Sequence, residues 1–153
     1  LGNEYRIQFD EIKTDESLPD YGWTQAMLKQ MAAMNNDFIM AGHSLGASMI
    51  LKCLSEHTIA KRIKAVFLIS TPYWDGDEAW KAAFKLKNDF ANHLPKETPL
   101  FFYQCMDDEE VPVAQFEEYK AKLTAATFRL IKIGGHQLNN DLKLVAEDIR
   151  SLN

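Results

Sequence analysis

The 153-residue chain has little of several features that mark particular classes of protein. It has only two cysteines, Cys53 and Cys105, each inside an apolar segment. This pattern indicates two buried free thiols in a reducing, cytoplasmic compartment, with a single disulfide as the alternative. No pair of Cys or His has metal-ligand spacing, so we expect neither a metal nor another cofactor.

Positive charge and long apolar runs are also scarce. The net charge is −5 and there is no Lys/Arg-rich run, which argues against broad binding to nucleic acid or to anionic membranes. No apolar stretch approaches the roughly 20 residues of a membrane helix. Residues 1–8 do not have the basic-then-apolar pattern of a signal peptide.

The apolar residues, 46% of the chain, suffice for one compact domain over residues 1–153. Short apolar runs alternate with segments of helical period, and this predicts strands at 5–9, 38–41, 65–69, 100–105 and 128–133. Predicted helices contain Trp23 to Met34 and Ile50 to Leu54, begin at Pro112, and follow Asn140 or Asp141. Such alternation is typical of the α/β class, with a mostly parallel sheet and helices on both faces.

One connection is too long for a simple crossover. The stretch from Thr71 to Thr98 holds five aromatic residues, and we interpret residues 72–98 as a lid-like insertion of one or two helices over the carboxyl edge of the sheet. An ordinary outer helix followed by a long loop is the alternative.

The segment Gly42-His43-Ser44-Leu45-Gly46 matches G-x-S-x-G between a predicted strand and a predicted helix. That context is the one a nucleophile elbow requires, because the tight turn lifts the serine oxygen above the sheet edge. Glycines on both sides leave room for the turn. Ser44 is thus the candidate nucleophile, and the Leu45 N–H is a candidate oxyanion donor. A phosphate-binding turn is the alternative, but the segment lacks the lysine of a P-loop.

Serine needs a base, and four histidines are available. His136 follows the last predicted strand, after Gly134-Gly135, so its loop reaches the same sheet edge as Ser44. We interpret His57 as a helix-end residue and His93 as a surface residue. We expect the side chain of His43 to point away from the serine oxygen, where it contacts substrate.

The imidazole needs a carboxylate on its second nitrogen. Asp107 and Asp108 both come directly after the strand at 100–105, and both qualify by position. We interpret Glu109 and Glu110 as residues of a solvated loop. The order serine, acid, histidine is that of the α/β-hydrolases.

These motifs together resemble the small α/β-hydrolases grouped with the retinoblastoma-binding serine hydrolases. The resemblance extends over nearly the whole chain, and its other specific parts are Thr71-Pro72-Tyr73-Trp74 and Gly134-Gly135-His136-Gln137. In that family the acid lies three residues before the valine of a Val-Pro pair, which selects Asp108 over Asp107. The resemblance implies hydrolysis of small esters or amides through an acyl-enzyme, without a cofactor. Some members of the family are named for binding a protein partner instead.

The resemblance also implies a first strand that ends in a His-Gly turn and supplies a second oxyanion N–H. Nothing before Tyr5 fits that strand, so we expect the fold to lack it unless it lies upstream of Leu1. From these residues we expect a serine hydrolase with the triad Ser44, Asp108 and His136, and with substrate near Tyr73 and Trp74. An inactive scaffold that binds a protein and an acyltransferase are the alternatives.

Overall fold

The computed structural model describes residues 1–9, 11–18, 20–76 and 78–152. The order of its elements confirms the predicted alternation of strands and helices. In chain order they are α1 (Trp23–Ala33), β1 (Phe38–His43), α2 (Leu45–Glu56), β2 (Ile63–Ile69), a 3-10 helix (Ala79–Ala83), α3 (Phe90–His93), β3 (Leu100–Cys105), α4 (Val113–Lys122), β4 (Thr127–Ile131), a second 3-10 helix (Leu138–Asn140) and α5 (Lys143–Arg150).

The four described strands form one parallel sheet in the order β1-β2-β3-β4. The register places His43, Ile69, Tyr103 and Arg129 side by side across it. Because all four strands point the same way, the loops that follow them meet at one rim. The fold class is thus the α/β class that the sequence predicts.

Apolar side chains leave the sheet on both faces, as a strand's period of two dictates. On one face Val66, Leu68 and Phe102 pack in a core with residues of α1, α2 and α4. On the other, Phe67 and Tyr103 pack with Val145 and Ile149 of α5, among others. The expectation of helices on both faces is confirmed.

One predicted strand is absent, and β1 is more exposed than the strands in the middle of the sheet. β1 is only half-buried and Ala41 is exposed, because this strand has a neighbour on one side only in the described part of the sheet. Residues 5–9 form no strand; Ile7 is 77% exposed and Phe9 93%. Alternating polarity predicts a strand only where a sheet edge pairs with the segment and a core covers one of its faces.

The connection between β2 and β3 contains the first 3-10 helix and α3. Phe84, Phe90 and Leu94 are buried in the same core as α2. The Trp74 ring contacts the rings of Trp80 and Phe84, with centroid distances of 5.6 and 5.3 Å. The connection thus contains two short helical pieces held by aromatic packing, and its role as a lid-like insertion stays a prediction.

Two further observations concern the cysteines and the helices. Cys53 and Cys105 are both buried and free, so the disulfide alternative is wrong. Among the residues that the structure describes, no helix combines the length and the apolar character needed to cross a bilayer.

Candidate active site

Ser44 occupies a sharp turn between β1 and α2. Its backbone has φ 52° and ψ −126°, a conformation that L-residues adopt only where the surrounding structure enforces it. The Ser44 N–H donates to the Ile69 carbonyl at 2.9 Å, which ties the turn to β2. A Cβ at Gly42 would lie 2.8 Å from the backbone of Ala47, so a glycine is required there. The turn thus has the geometry of the nucleophile elbow that the motif indicates.

Gly46, in contrast, has open space where a Cβ would be, with no atom outside its own helix and chain neighbours within 4 Å. The expectation that both glycines leave room for the turn therefore holds for Gly42 only. Leu45 begins α2, and its N–H belongs to the first turn of the helix, where amides have no partner within the helix. This leaves the Leu45 N–H free for the oxyanion role that the motif predicts.

His136 is 3% exposed and sits in the loop after β4. Asp107 holds this loop, because its Oδ1 accepts hydrogen bonds from the N–H groups of Gly134 and Gly135, both at 2.9 Å. These bonds, that of Gly135 first, keep the pKa of Asp107 below its usual value. Asp107 therefore binds the backbone of the loop that carries His136 and does not contact the imidazole.

Asp108 is the carboxylate that meets the imidazole. Nδ1 of His136 lies 3.0 Å from both carboxylate oxygens of Asp108. Oδ1 also accepts from the N–H groups of Glu110 and Val111, each at 2.9 Å. Burial raises the pKa of Asp108, but these two N–H groups and the ring outweigh it, so the pKa lies below its usual value. With a charged Asp108 accepting from the Nδ1–H, a neutral ring carries its lone pair on Nε2, as a general base requires.

Gln104 is a functional residue that the sequence reasoning missed. Its buried amide donates to Oδ2 of Asp108 at 2.8 Å and to the Val111 carbonyl at 2.9 Å. It thereby orients the carboxylate of Asp108. The available signal was one polar residue in an otherwise apolar strand, since buried polar groups are kept where they have partners.

The two glutamates after Asp108 are also closer to the site than expected. Oε2 of Glu109 accepts from the backbone N–H of His136 at 3.3 Å. Oε2 of Glu110 lies 3.6 Å from Nε2 of His136. Both residues are exposed, as expected of a solvated loop, yet both side chains turn toward the histidine loop.

A cavity of about 170 Å³ lies at the rim, and its lining includes Ser44. The other lining residues are Pro72, Tyr73, Trp74, Asp75, Lys81, Glu110, Val111 and Gln115. In the described part of the chain, Ser44 Oγ makes no hydrogen bond to another residue. The structure therefore joins Asp108 to His136 and opens Ser44 to the cavity, with the final bond of the relay not formed.

The three residues predicted to contact substrate lie in different places. Tyr73 and Trp74 line the cavity, where the Tyr73 N–H donates to Gln115 and the Trp74 indole to Ser48. The ring of His43 lies against that of His136, with centroids 4.7 Å apart. Its Nε2 is 2.8 Å from the carbonyl of His136, so His43 supports the histidine loop from below.

A family of known proteins matches nearly the whole chain. The family model described as serine hydrolase matches residues 2–142. The chain belongs to the serine hydrolase family. No curated protein matches it.

Solved structures agree on the fold of this serine hydrolase family member. The ydeN product of B. subtilis superimposes with a TM-score of 0.67 at 17% identity, over 85% of this chain and 73% of that one. Est1E from Butyrivibrio proteoclasticus has a TM-score of 0.65 at 19% identity, over 86% of this chain and 68% of Est1E. Acylaminoacyl peptidase from Pyrococcus horikoshii has a TM-score of 0.60 at 16% identity, over 82% of this chain and 26% of the peptidase. The chain therefore has the fold of these α/β-hydrolases, and its family supports hydrolase activity in general.

Proposed function

We propose that the chain hydrolyses small carboxylic esters or amides through an acyl-enzyme formed on Ser44. The observation that carries this proposal is the pair of Asp108 and His136, at 3.0 Å, on the rim where the Ser44 turn opens into a cavity. A buried imidazole that is held by a charged carboxylate can take the proton of a serine hydroxyl.

Each reaction step has a residue in this arrangement. Nε2 of His136 removes the Ser44 proton as Oγ attacks the substrate carbonyl, and Asp108 stabilises the imidazolium that forms. The oxyanion receives the Leu45 N–H at the N-terminus of α2, where the helix dipole also favours negative charge. His136 then protonates the leaving group and, in the second half-reaction, activates water to release the acid.

The cavity limits the size of the substrate. About 170 Å³ holds a small group, and Tyr73, Trp74 and Val111 supply apolar surface beside Ser44. We place the substrate between these side chains and the elbow, with His43 as a further candidate contact. Ester and amide substrates both fit this scheme, and one structural relative is a peptidase by name. The two free buried cysteines support a cytoplasmic location.

A fluorophosphonate probe tests the proposal. It should label the wild-type protein and a Ser55→Ala control, whose substitution lies at the far end of α2, but not Ser44→Ala. Short-chain nitrophenyl esters should be hydrolysed in the same pattern. A folded wild-type protein that neither takes the label nor hydrolyses any ester would contradict the proposal.

A protein-binding role on an idle hydrolase scaffold is the second candidate. The observation that favours it is Ser44 Oγ, which makes no hydrogen bond to His136 in the described structure. Relays of this kind often close only when substrate binds, so this observation alone does not exclude catalysis. Acyl transfer to an alcohol or amine would use the same residues, and product analysis with added acceptors separates it from hydrolysis.

A further inference from the structure

The side chain of Glu110 approaches the nitrogen that the proposed mechanism needs free. Its Oε2 is 3.6 Å from Nε2 of His136, while Asp108 contacts Nδ1 of the same ring. The imidazole thus lies between two carboxylates, one on each nitrogen. Glu110 also lines the cavity that contains Ser44, so the two side chains share that space.

The position of Glu110 is fixed through the triad acid itself. The Glu110 N–H donates to Oδ1 of Asp108 at 2.9 Å, so the backbone that carries Glu110 is tied to the carboxylate that holds the ring. The Glu110 side chain is 64% exposed, and among the described residues its ion-pair partner is His136.

We propose that Glu110 is a second carboxylate partner of His136 that faces Nε2 in the resting protein and favours the imidazolium. At 3.6 Å the two side chains form an ion-pair contact and not a hydrogen bond, so Glu110 acts through its negative charge, which favours a proton on Nε2 in addition to the one on Nδ1. In that form the ring cannot accept the proton of Ser44. The part that concerns catalysis rests on the function proposed above; the protonation of the ring does not.

Other charged or titratable groups also face His136. Asp107 and Glu109 contact its loop through backbone N–H groups, and the neutral or charged ring of His43 lies against it. Among these acidic groups, Glu110 is the one that faces Nε2. Removal of its charge should therefore change the balance between the two ring forms without loosening the loop.

Glu110→Gln tests the inference, since it keeps the size of the side chain and its backbone bond to Asp108. Glu118→Gln on α4, an exposed residue of equal charge, is the matched control. Long-range ¹⁵N NMR reads the imidazolium fraction of His136 at pH 6 whether or not the protein is a catalyst. We expect this fraction to fall by about half in Glu110→Gln and to stay at the wild-type value in Glu118→Gln.

Kinetics supply the second readout, with a neutral nitrophenyl ester. The ratio of kcat/KM at pH 5.5 to that at pH 8 should rise about two- to threefold in Glu110→Gln, because more of the ring is free to act as base. An unchanged NMR fraction in Glu110→Gln would overturn the inference. A changed fraction without any ester hydrolysis would support the inference and count against the proposed function, so the two failures are distinguishable.

Discussion

Nε2 of His43 lies 2.8 Å from the main-chain carbonyl of His136. Since a carbonyl only accepts, His43 carries its proton on Nε2. The hydroxyl of Ser70 donates to the same carbonyl at 3.0 Å. His43, the residue before the proposed nucleophile, thus binds the backbone of His136, the proposed general base. This bond links the turn at Ser44 to the loop after β4.

The first prediction concerns this link. We expect His43→Leu to lower kcat about tenfold with little change in KM, because a displaced imidazole no longer meets the Ser44 hydroxyl in line. His43→Gln, whose amide N–H can reach the carbonyl, should recover most of the loss. Steady-state kinetics on a short-chain ester measure both. If His43→Leu raised KM and left kcat intact, His43 would be a substrate contact, as the sequence predicts.

The second prediction compares two glycines of the elbow. Gly42→Ala should destabilise the protein by about 2 kcal/mol or more, since the new methyl group would press on the backbone of Ala47, which has no room to move. Gly46→Ala meets open space inside α2 and should stabilise it by about 0.5 kcal/mol. Urea unfolding measures both. Equal losses from the two substitutions would show that the crowding at Gly42 does not matter.

The third prediction concerns the anchoring of Trp74. Its indole N–H donates to Ser48 Oγ at 2.9 Å, which fixes one wall of the cavity on α2. Trp74→Phe and Ser48→Ala should each raise KM several-fold, equivalent to about 1 kcal/mol for one hydrogen bond. The KM of the double variant should be no higher than that of the single variant with the higher KM. Additive losses in this double-mutant cycle would mean that the two residues act separately.

The fourth prediction concerns stability in acid. Asp148 is nearly buried, and it accepts from Tyr103 at 2.7 Å and from Nη2 of Arg129 at 2.9 Å. Burial raises the pKa of Asp148, but the bonds from Arg129 and Tyr103 outweigh it and hold the pKa below its usual value. A carboxyl with a depressed folded-state pKa stabilises the fold fully above its unfolded-state pKa, near 4. That contribution is lost as the pH falls through the folded-state value.

We therefore expect Asp148→Asn to lower the free energy of unfolding by about 3 kcal/mol at pH 7. This difference between the variant and the wild type, the gap, should narrow below about pH 4. Urea unfolding between pH 2 and pH 7 measures the gap. Glu147→Gln, an exposed neighbour on α5, should show little gap at any pH. A gap of the same size at pH 2 and pH 7 would contradict the assignment.

Much of the site could be predicted because its parts are local in sequence. Gly42 to Gly46 specify a turn by their own sterics, and His136 is placed by the strand that precedes it. The choice of Asp108 over Asp107 came from family resemblance, and the structure gives its physical counterpart: Asp107 contacts the loop and Asp108 contacts the ring.

The rest depended on contacts between distant segments. Glu109 and Glu110 lie in an exposed loop, and their contacts with the loop that carries His136, 27 residues after Glu109, cannot be predicted from the local sequence. The predicted strand at 5–9 failed for a related reason. Its side chains alternate correctly, yet Ile7 and Phe9 face solvent, and a sequence pattern cannot tell whether a partner edge is present.

The order β1-β2-β3-β4 separates the reacting groups across the sheet. Ser44 follows the outermost described strand, whereas Asp108 and His136 follow β3 and β4, two neighbours on the opposite side. Fraying of β1 would carry the hydroxyl away while leaving the carboxylate and imidazole joined. On mild heating, ester hydrolysis should therefore be lost before the contact between Asp108 and His136, because the edge strand β1 separates from the sheet first.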